Sequence, residues 1–436
     1  MRACAACTTS ARRKARSFRT KSSSEMARVA SSSRSFLRPL REATADLAGH
    51  RFALASYDQM NAFLLGNKTI SDQLVRAENR PSGFDYLRLF LSIGVLLSHS
   101  IDICYGYHAS LVIWLWRGPP HPMIYFIVPS FFALSGFLVA GSLERNTVPA
   151  FVTLRFIRIF PALCVEVLIS ALFLGTLLTS LSLRDYFSHP EFWRYLGNIV
   201  GWVHFHLPGV FENRSPPNEV NTSLWTVPFE LDCYIAIAAL GIAGLPKRPI
   251  LFTSAAIFAM LAFSAKTAFT SFFILGGNHP GGVLILSFLF GAAIYLVRNT
   301  LPFSLPLFVL SITLSLVFFY FPATFYLATP FVAYSTAYMG LLNPRRTLLV
   351  RGADYSYGIY LYGYPFQQAA FQLLPGGTFW LLNIVYAVLS SGAAAYLSWT
   401  FVEKRVLERR AAALLRVAKS IEWLRLLFTT LGRGFR

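Results

Sequence analysis

Between residues 85 and 402 the chain is a succession of apolar runs, mostly near twenty residues long, separated by short polar or basic breaks. Wound as a helix rising about 1.5 Å per residue, such a run crosses the roughly 30 Å hydrocarbon layer of a bilayer. Ten spans are read, over 85–104, 124–142, 157–181, 223–244, 249–265, 281–297, 303–321, 323–341, 355–375 and 377–402. The fifth is the weakest, because Lys266 follows closely and 267–276 is apolar too. Charged residues make up only 14% of the chain, against about 25% in a soluble globular protein. The expected fold class is therefore all-α, a polytopic integral membrane helix bundle of about ten transmembrane helices.

The net charge of +19 comes mostly from the two ends. Residues 1–50 hold eleven Lys or Arg against three acids, and residues 403–436 hold nine against three. With ten spans between them, these are the basic flanks of a membrane domain and not a nucleic-acid surface. Residues 1–80 read as a basic, largely disordered cytoplasmic extension, with one short amphipathic helix possible over 51–80. Their composition also resembles a transit peptide, and Met26 or Met60 are alternative starts. Residues 81–405 form the membrane domain, and 406–436 a basic cytoplasmic tail. Basic connections at Arg145–Arg158, Lys247–Arg248, Arg298 and Arg345–Arg351 alternate with Arg-poor ones. That alternation puts both termini in the cytoplasm and the long loop 182–222 outside. A bacterial inner membrane is the expected location; oligomeric state is not legible.

Cys104, Cys164 and Cys233 sit in or beside apolar runs as packed thiols. Cys4 and Cys7 form a lone CxxC with no second pair, so neither a zinc site nor a disulfide framework is read. His204 and His206 lack an evident third ligand, and no metal is expected.

Ionisable residues inside spans are costly and point to function. Span 1, FDYLRLFLSIGVLLSHS, carries Arg88 and His99 eleven residues apart. Eleven helical steps return to within about 20° of the starting face, about 16 Å along the axis. The pair is expected to line one channel, with Ser92, Val95 and Leu96 between; the plain alternative is a snorkelling Arg and a packed His. Span 2 holds Ser135 and Gly136 in PSFFALSGFL, either a close helix contact or a passage wall. No G-x-S-x-G surrounds Ser135, so a nucleophile is not supported. Span 3 opens with LRFIRIFPA, which sets Arg155 and Arg158 on one face. Paired guanidiniums suit a phosphate-bearing ligand, although ordinary cytoplasmic charge explains them too. No nucleotide-binding glycine loop accompanies them.

Span 4 carries Glu230 and Asp232 in NTSLWTVPFELDCY. It runs inward, which brings Glu230 to the depth of His99, and a carboxylate beside an imidazole orients a general base. A structural buried acid is the alternative. Asn221–Thr222–Ser223 matches a glycosylation sequon, a pattern too short to carry weight. Span 9, DYSYGIYLYGYPFQQ, puts Tyr357 and Tyr360 either in an interfacial aromatic belt or on a substrate-facing wall.

Together FDYLRLFLSIGVLLSHS, FFALSGFL, RFIRIFPA, the loop LPGVFENRSPPNEVNTSLWTVPFEL, SYGIYLYGYP and FVEKR resemble acyltransferase family 3, over roughly residues 80–405. The resemblance implies O-acyl transfer to surface glycans, with acyl-CoA, usually acetyl-CoA, as donor and no permanently bound cofactor. It implies functional roles at Arg88 and His99, at Arg155 and Arg158, and at Trp225 and Glu230. Many members have His two residues before the span 9 Pro, where this chain has Gly363. Some members add an extracytoplasmic hydrolase-like domain, which is not expected here.

The sequence reading is a membrane O-acyltransferase, most simply an O-acetyltransferase of an exopolysaccharide, lipopolysaccharide or similar glycoconjugate. His99 and Glu230 are its catalytic residues. Arg88, Arg155 and Arg158 hold acyl-CoA, and Ser135, Trp225, Tyr357 and Tyr360 line the channel. The partners are acyl-CoA, a glycan or glycolipid acceptor and the lipid bilayer. The rival is a secondary transporter or flippase with a His–Glu proton relay, for which neither an internal repeat nor a pair of broken helices is found.

Overall fold

The computed structural model describes residues 68–212, 218–271, 281–347, 350 and 355–434. The expected N-terminal extension falls outside the described residues up to residue 67, Cys4 and Cys7 included. The described chain begins with α1 (Ile70–Arg76), whose start is a capping box: the Thr69 hydroxyl accepts the Asp72 N–H, and the Asp72 carboxylate accepts the Thr69 N–H.

Helix α2 (Gly83–Tyr105) is followed by the short α3 (Ser110–Arg117), α4 (His121–Arg145) and α5 (Val148–Leu178). The long loop carries α6 (Leu183–Ser188) and α7 (Pro190–Leu196). A 3-10 turn, Thr222–Thr226, leads into α8 (Val227–Ile242). Next come α9 (Pro249–Ser271), α10 (Gly281–Leu296), α11 (Leu305–Tyr320) and α12 (Thr329–Leu341). The chain closes with α13 (Ser356–Leu373), α14 (Trp380–Glu408) and α15 (Arg410–Gly434). Among the described residues no strand forms, and the β-type pairings are two isolated bridges. The all-α membrane bundle is thus observed.

Each expected span contains a helix, but their lengths differ. Among the described residues six segments are long and apolar enough to cross a membrane: α2, α4, α5, Thr222–Ile242, Pro249–Thr267 and α14. Helices α10 and α11 have 16 residues each, and α12 has 13. The expected eighth span, 323–341, is divided: Pro322–Ala328 is a 3-10 turn, and the α-helix starts only at Thr329. The expected third span starts earlier, at Val148, because the helix continues through Pro161 and includes the arginine pair. Residues 106–120, read as a plain connection, hold α3; its eight residues are too few to register as a span.

Packing follows residue size. Gly136 of α4 lies against the Phe288 carbonyl of α10, and Gly291 of α10 against the Ala133 carbonyl of α4. A side chain at either position would push the helices apart, so small residues set this crossing. Gly363 of α13 similarly admits Leu96 of α2, with a Cβ there only 2.5 Å from Leu96 Cδ1. That contact explains why this chain has no bulky ring at Gly363. Large apolar side chains point outward on the lipid side, as at Ile250 (80% exposed) and Phe258 (75%).

A buried polar network ties α2, α13 and α14 together. Gln367 Nε2 donates to Leu96 O and to Ser100 Oγ, both at 2.6 Å. Ser100 in turn donates to Asn383 Oδ1 at 2.9 Å, and Asn383 Nδ2 to Gln367 O at 2.9 Å. Interhelical hydrogen bonds of this kind fix helix register in lipid. Cys104, Cys164 and Cys233 are free thiols.

Candidate active site

Helices α2 and α5 bring three arginines to one cavity. Arg88 comes from α2, and Arg155 and Arg158 from successive turns of α5. The cavity holds about 910 Å³, counted out to its open mouth. Arg155 lies 6.0 Å from the Tyr234 ring and 5.8 Å from the Phe151 ring. Its Nε is buried and makes no hydrogen bond. A buried guanidinium N–H without an acceptor is costly, and it is the kind of donor a phosphate oxygen satisfies.

Glu230, in the first turn of α8, lines the same cavity. It accepts the Tyr234 hydroxyl at 2.6 Å, and the charges acting on it are Arg158, Arg155 and Arg88. Ser135 of α4 also lines this space. Tyr357 and Tyr360 of α13 form another wall. The Tyr360 hydroxyl meets Thr226 Oγ1 at 2.9 Å and donates to Ser223 O at 3.2 Å. Trp225 is absent from the cavity wall, where its neighbour Thr226 stands instead. Its ring packs edge-on against Phe229, with centroids 5.9 Å apart.

His99 belongs to a second cluster, toward the other end of α2. The structure does not bring His99 into the cavity that Arg88 lines. Ser92 donates to Arg88 O at 2.9 Å and to Ser356 O at 3.0 Å. Val95 and Leu96 are buried, Leu96 against α13. The face between the two residues is therefore closed by packing, because Ser92 and Gly363 let α2 and α13 touch. Nor does the structure pair His99 with Glu230: Glu230 stands at the level of Arg88, among the guanidiniums, about 16 Å along α2 from His99. The carboxylates around His99 are Asp102, with Oδ2 at 3.9 Å from Nδ1, and Glu219, whose charge acts on His99.

The His99 ring meets Tyr364 edge-on, centroids 5.1 Å apart. Tyr364 donates to Glu219 Oε2 at 3.4 Å, and Gln368 Nε2 to Glu219 O at 3.3 Å. Burial pushes the Glu219 carboxyl up, against the opposing effects of His206, the Tyr364 hydroxyl and His99. The turn beyond Glu219 is anchored by Asn221, fully buried, whose Nδ2 donates to Glu166 Oε1 at 2.8 Å and Leu361 O at 2.9 Å. That burial removes Asn221 as a glycan acceptor. Among the described residues no group of three His, Cys, Asp or Glu side chains is arranged for a metal.

The acyltransferase-domain family model Acyl_transf_3 matches residues 82–403. The chain belongs to acyltransferase family 3. It is an acyltransferase enzyme of the membrane. It is 28% identical over 364 residues to an O-acetyl transferase of Shigella phage Sf6, covering 77% of this chain and 99% of the relative. No solved structure matches it.

In this acyltransferase the sequence reading missed Asp102, Glu219 and Tyr364. For Asp102 the signal was present: His99 and Asp102 stand at i and i+3, which share a helix face. For Glu219, in a long loop, no local pattern marks the residue. Tyr364 was one of five clustered tyrosines, and nothing local separates it from the others.

Proposed function

We propose that the protein is an O-acetyltransferase that moves an acyl group from acyl-CoA to a hydroxyl of an exopolysaccharide, lipopolysaccharide or similar glycoconjugate. The observation that carries this reading is the convergence of Arg88, Arg155 and Arg158 on one cavity, with the Arg155 Nε buried and unmet. Three guanidiniums against one carboxylate suit a ligand with several phosphate charges. Basic connections at the same ends of the helices support a cytoplasm-facing mouth, both termini inside, in a bacterial inner membrane. The O-acetyl transferase relative supports acetyl as the group moved.

In this reading the phosphates of CoA rest on the arginines, and the pantetheine arm runs along the wall of Tyr357 and Tyr360. Tyr360 and Thr226 close the far end of the cavity. Tyr364, against His99, stands four residues further along α13, about 6 Å. Parting the Tyr360–Thr226 contact joins the two clusters. His99 then takes the proton of the acceptor hydroxyl while its oxygen attacks the thioester carbon. The C–S bond breaks, and the leaving thiolate is protonated in turn.

The test uses membranes containing the full chain, radiolabelled acetyl-CoA and the glycan of a producing strain. The expected result is CoA release with label in ester linkage on the glycan, and ester groups missing from the glycan of a deletion strain. Label that stays with CoA, with surface esters unchanged in the deletion strain, would overturn the reading in favour of a transporter.

A further inference from the structure

The carboxylate that partners His99 has to be sought again, since Glu230 faces the arginines. Asp102 is one helical turn further along α2, with its side chain only 3% exposed. Its Oδ1 accepts the indole N–H of Trp116, from α3, at 2.8 Å. Its other oxygen, Oδ2, faces His99 Nδ1 at 3.9 Å. That nitrogen is buried and has no hydrogen-bond partner. An orphaned ring nitrogen and an ionisable carboxylate thus face each other across a gap too long for a hydrogen bond. A rotation about the His99 Cβ–Cγ bond closes the gap, and such contacts often tighten only when substrate is bound. Tyr364 from α13 and Glu219 from the loop also face His99, and the Glu219 carboxylate already accepts from Tyr364; Tyr107, just past α2, acts on Asp102 and Glu219, and His206 of the loop acts on Glu219.

We propose that Asp102, held by Trp116, is the positioning residue of His99: Oδ2 takes the Nδ1 proton and leaves Nε2 free to receive the proton of the acceptor hydroxyl. The short helix α3 acquires a purpose in this arrangement, since it delivers the indole that aims the carboxylate. Asp102 lies outside the arginine cavity, so its influence belongs to proton transfer and not to donor capture. The inference rests on the reading of His99 as general base.

Label transfer from acetyl-CoA to glycan is compared in membranes carrying Asp102→Asn, Asp102→Glu, Trp116→Phe and His99→Ala. Asp102→Asn keeps size, accepts from Trp116 and removes the charge. Its maximal rate is expected to fall about 100-fold or more, with half-saturating acetyl-CoA unchanged within about twofold. The acidic limb of its pH–rate profile moves to lower pH, because a lost negative charge favours the neutral imidazole. Asp102→Glu, which keeps the charge and reaches further, recovers most of the rate. Trp116→Phe keeps the Asp102 charge but frees the carboxylate to swing, so the rate falls about threefold to tenfold at unchanged half-saturating acetyl-CoA, with the pH–rate profile unmoved; it carries the test if Asp102→Asn does not reach the membrane. An inactive His99→Ala beside a fully active Asp102→Asn or a fully active Trp116→Phe overturns the inference alone. An active His99→Ala overturns the general-base reading itself. A loss shared by Asp102→Asn and Asp102→Glu, with an unmoved pH profile, also overturns the inference and leaves Asp102 a packing residue.

Discussion

Arg88 and His99 stand on one helix, yet their surroundings answer charge in opposite ways. Around Arg88 the cations exceed the acids, with Arg155 and Arg158 against Glu230 beside an open cavity. Around His99 the acids are balanced from within the protein, by the imidazole and by donors already in place: Trp116 on Asp102, Tyr364 on Glu219. A surplus of buried charge is stable when something of opposite sign arrives from outside. A balanced set is complete within itself and is suited to moving protons. On the proposed reading, the difference teaches that two ends of one span divide the work, one capturing the donor and the other activating the acceptor.

The largest effect is expected at the balanced end. His99→Ala should lower the maximal rate of acetyl transfer about 1000-fold or more, while CoA affinity in detergent stays within about twofold. Loss of CoA binding in that variant would merge the two clusters into one site.

At the surplus end, Arg155→Ala and Arg158→Ala should each weaken acyl-CoA binding roughly tenfold or more, since a charge-assisted contact is worth about 1.5–3 kcal/mol. Arg→Lys should recover only part, because a point charge replaces a two-pronged donor. Equilibrium binding of CoA to the purified variants decides this, and unchanged affinity in both would empty the donor assignment.

Glu230→Gln sharpens the comparison further. Glu230 sits among like-charged guanidiniums and takes the Tyr234 hydroxyl. Its removal should raise half-saturating acetyl-CoA about fivefold as the arginines lose the carboxylate that orients them, with the pH–rate profile unmoved. A displaced profile at unchanged donor affinity would return Glu230 to His99.

The smallest effect is expected outside both clusters. A chain starting at Met60 should insert and keep its full rate, since the family match begins only at residue 82. Normal insertion with no transfer would give the basic extension a part in the reaction.

Hydropathy made the helices legible, because the cost of unpaired backbone in lipid acts on each run separately. The arginine pair was legible for a similar reason: positions three apart share a face whatever packs against it. The departure at Gly363 was visible in the sequence, but its cause was not, since the neighbour that fills the space is Leu96 of another helix. Trp225 and Thr226 exchanged places on the cavity wall because the 3-10 turn Thr222–Thr226 sets a different rotation from an α-helix.

The amino-acid sequence by itself determined an all-helical membrane protein, the stretches that carry its helices, and the two polar positions on its first span. Periodicity and transfer energy are properties of a segment alone. The tertiary structure decided which acid meets which base. Position in the sequence gives the spacing of Arg88 and His99 along α2, but which groups meet them depends on how other helices pack, with α2 held to α13 and α14 at Ser92, Gly363 and the Gln367–Ser100–Asn383 network. Glu230 stands with the arginines, and Asp102, one turn from His99 on the same helix, is the carboxylate 3.9 Å from its ring nitrogen.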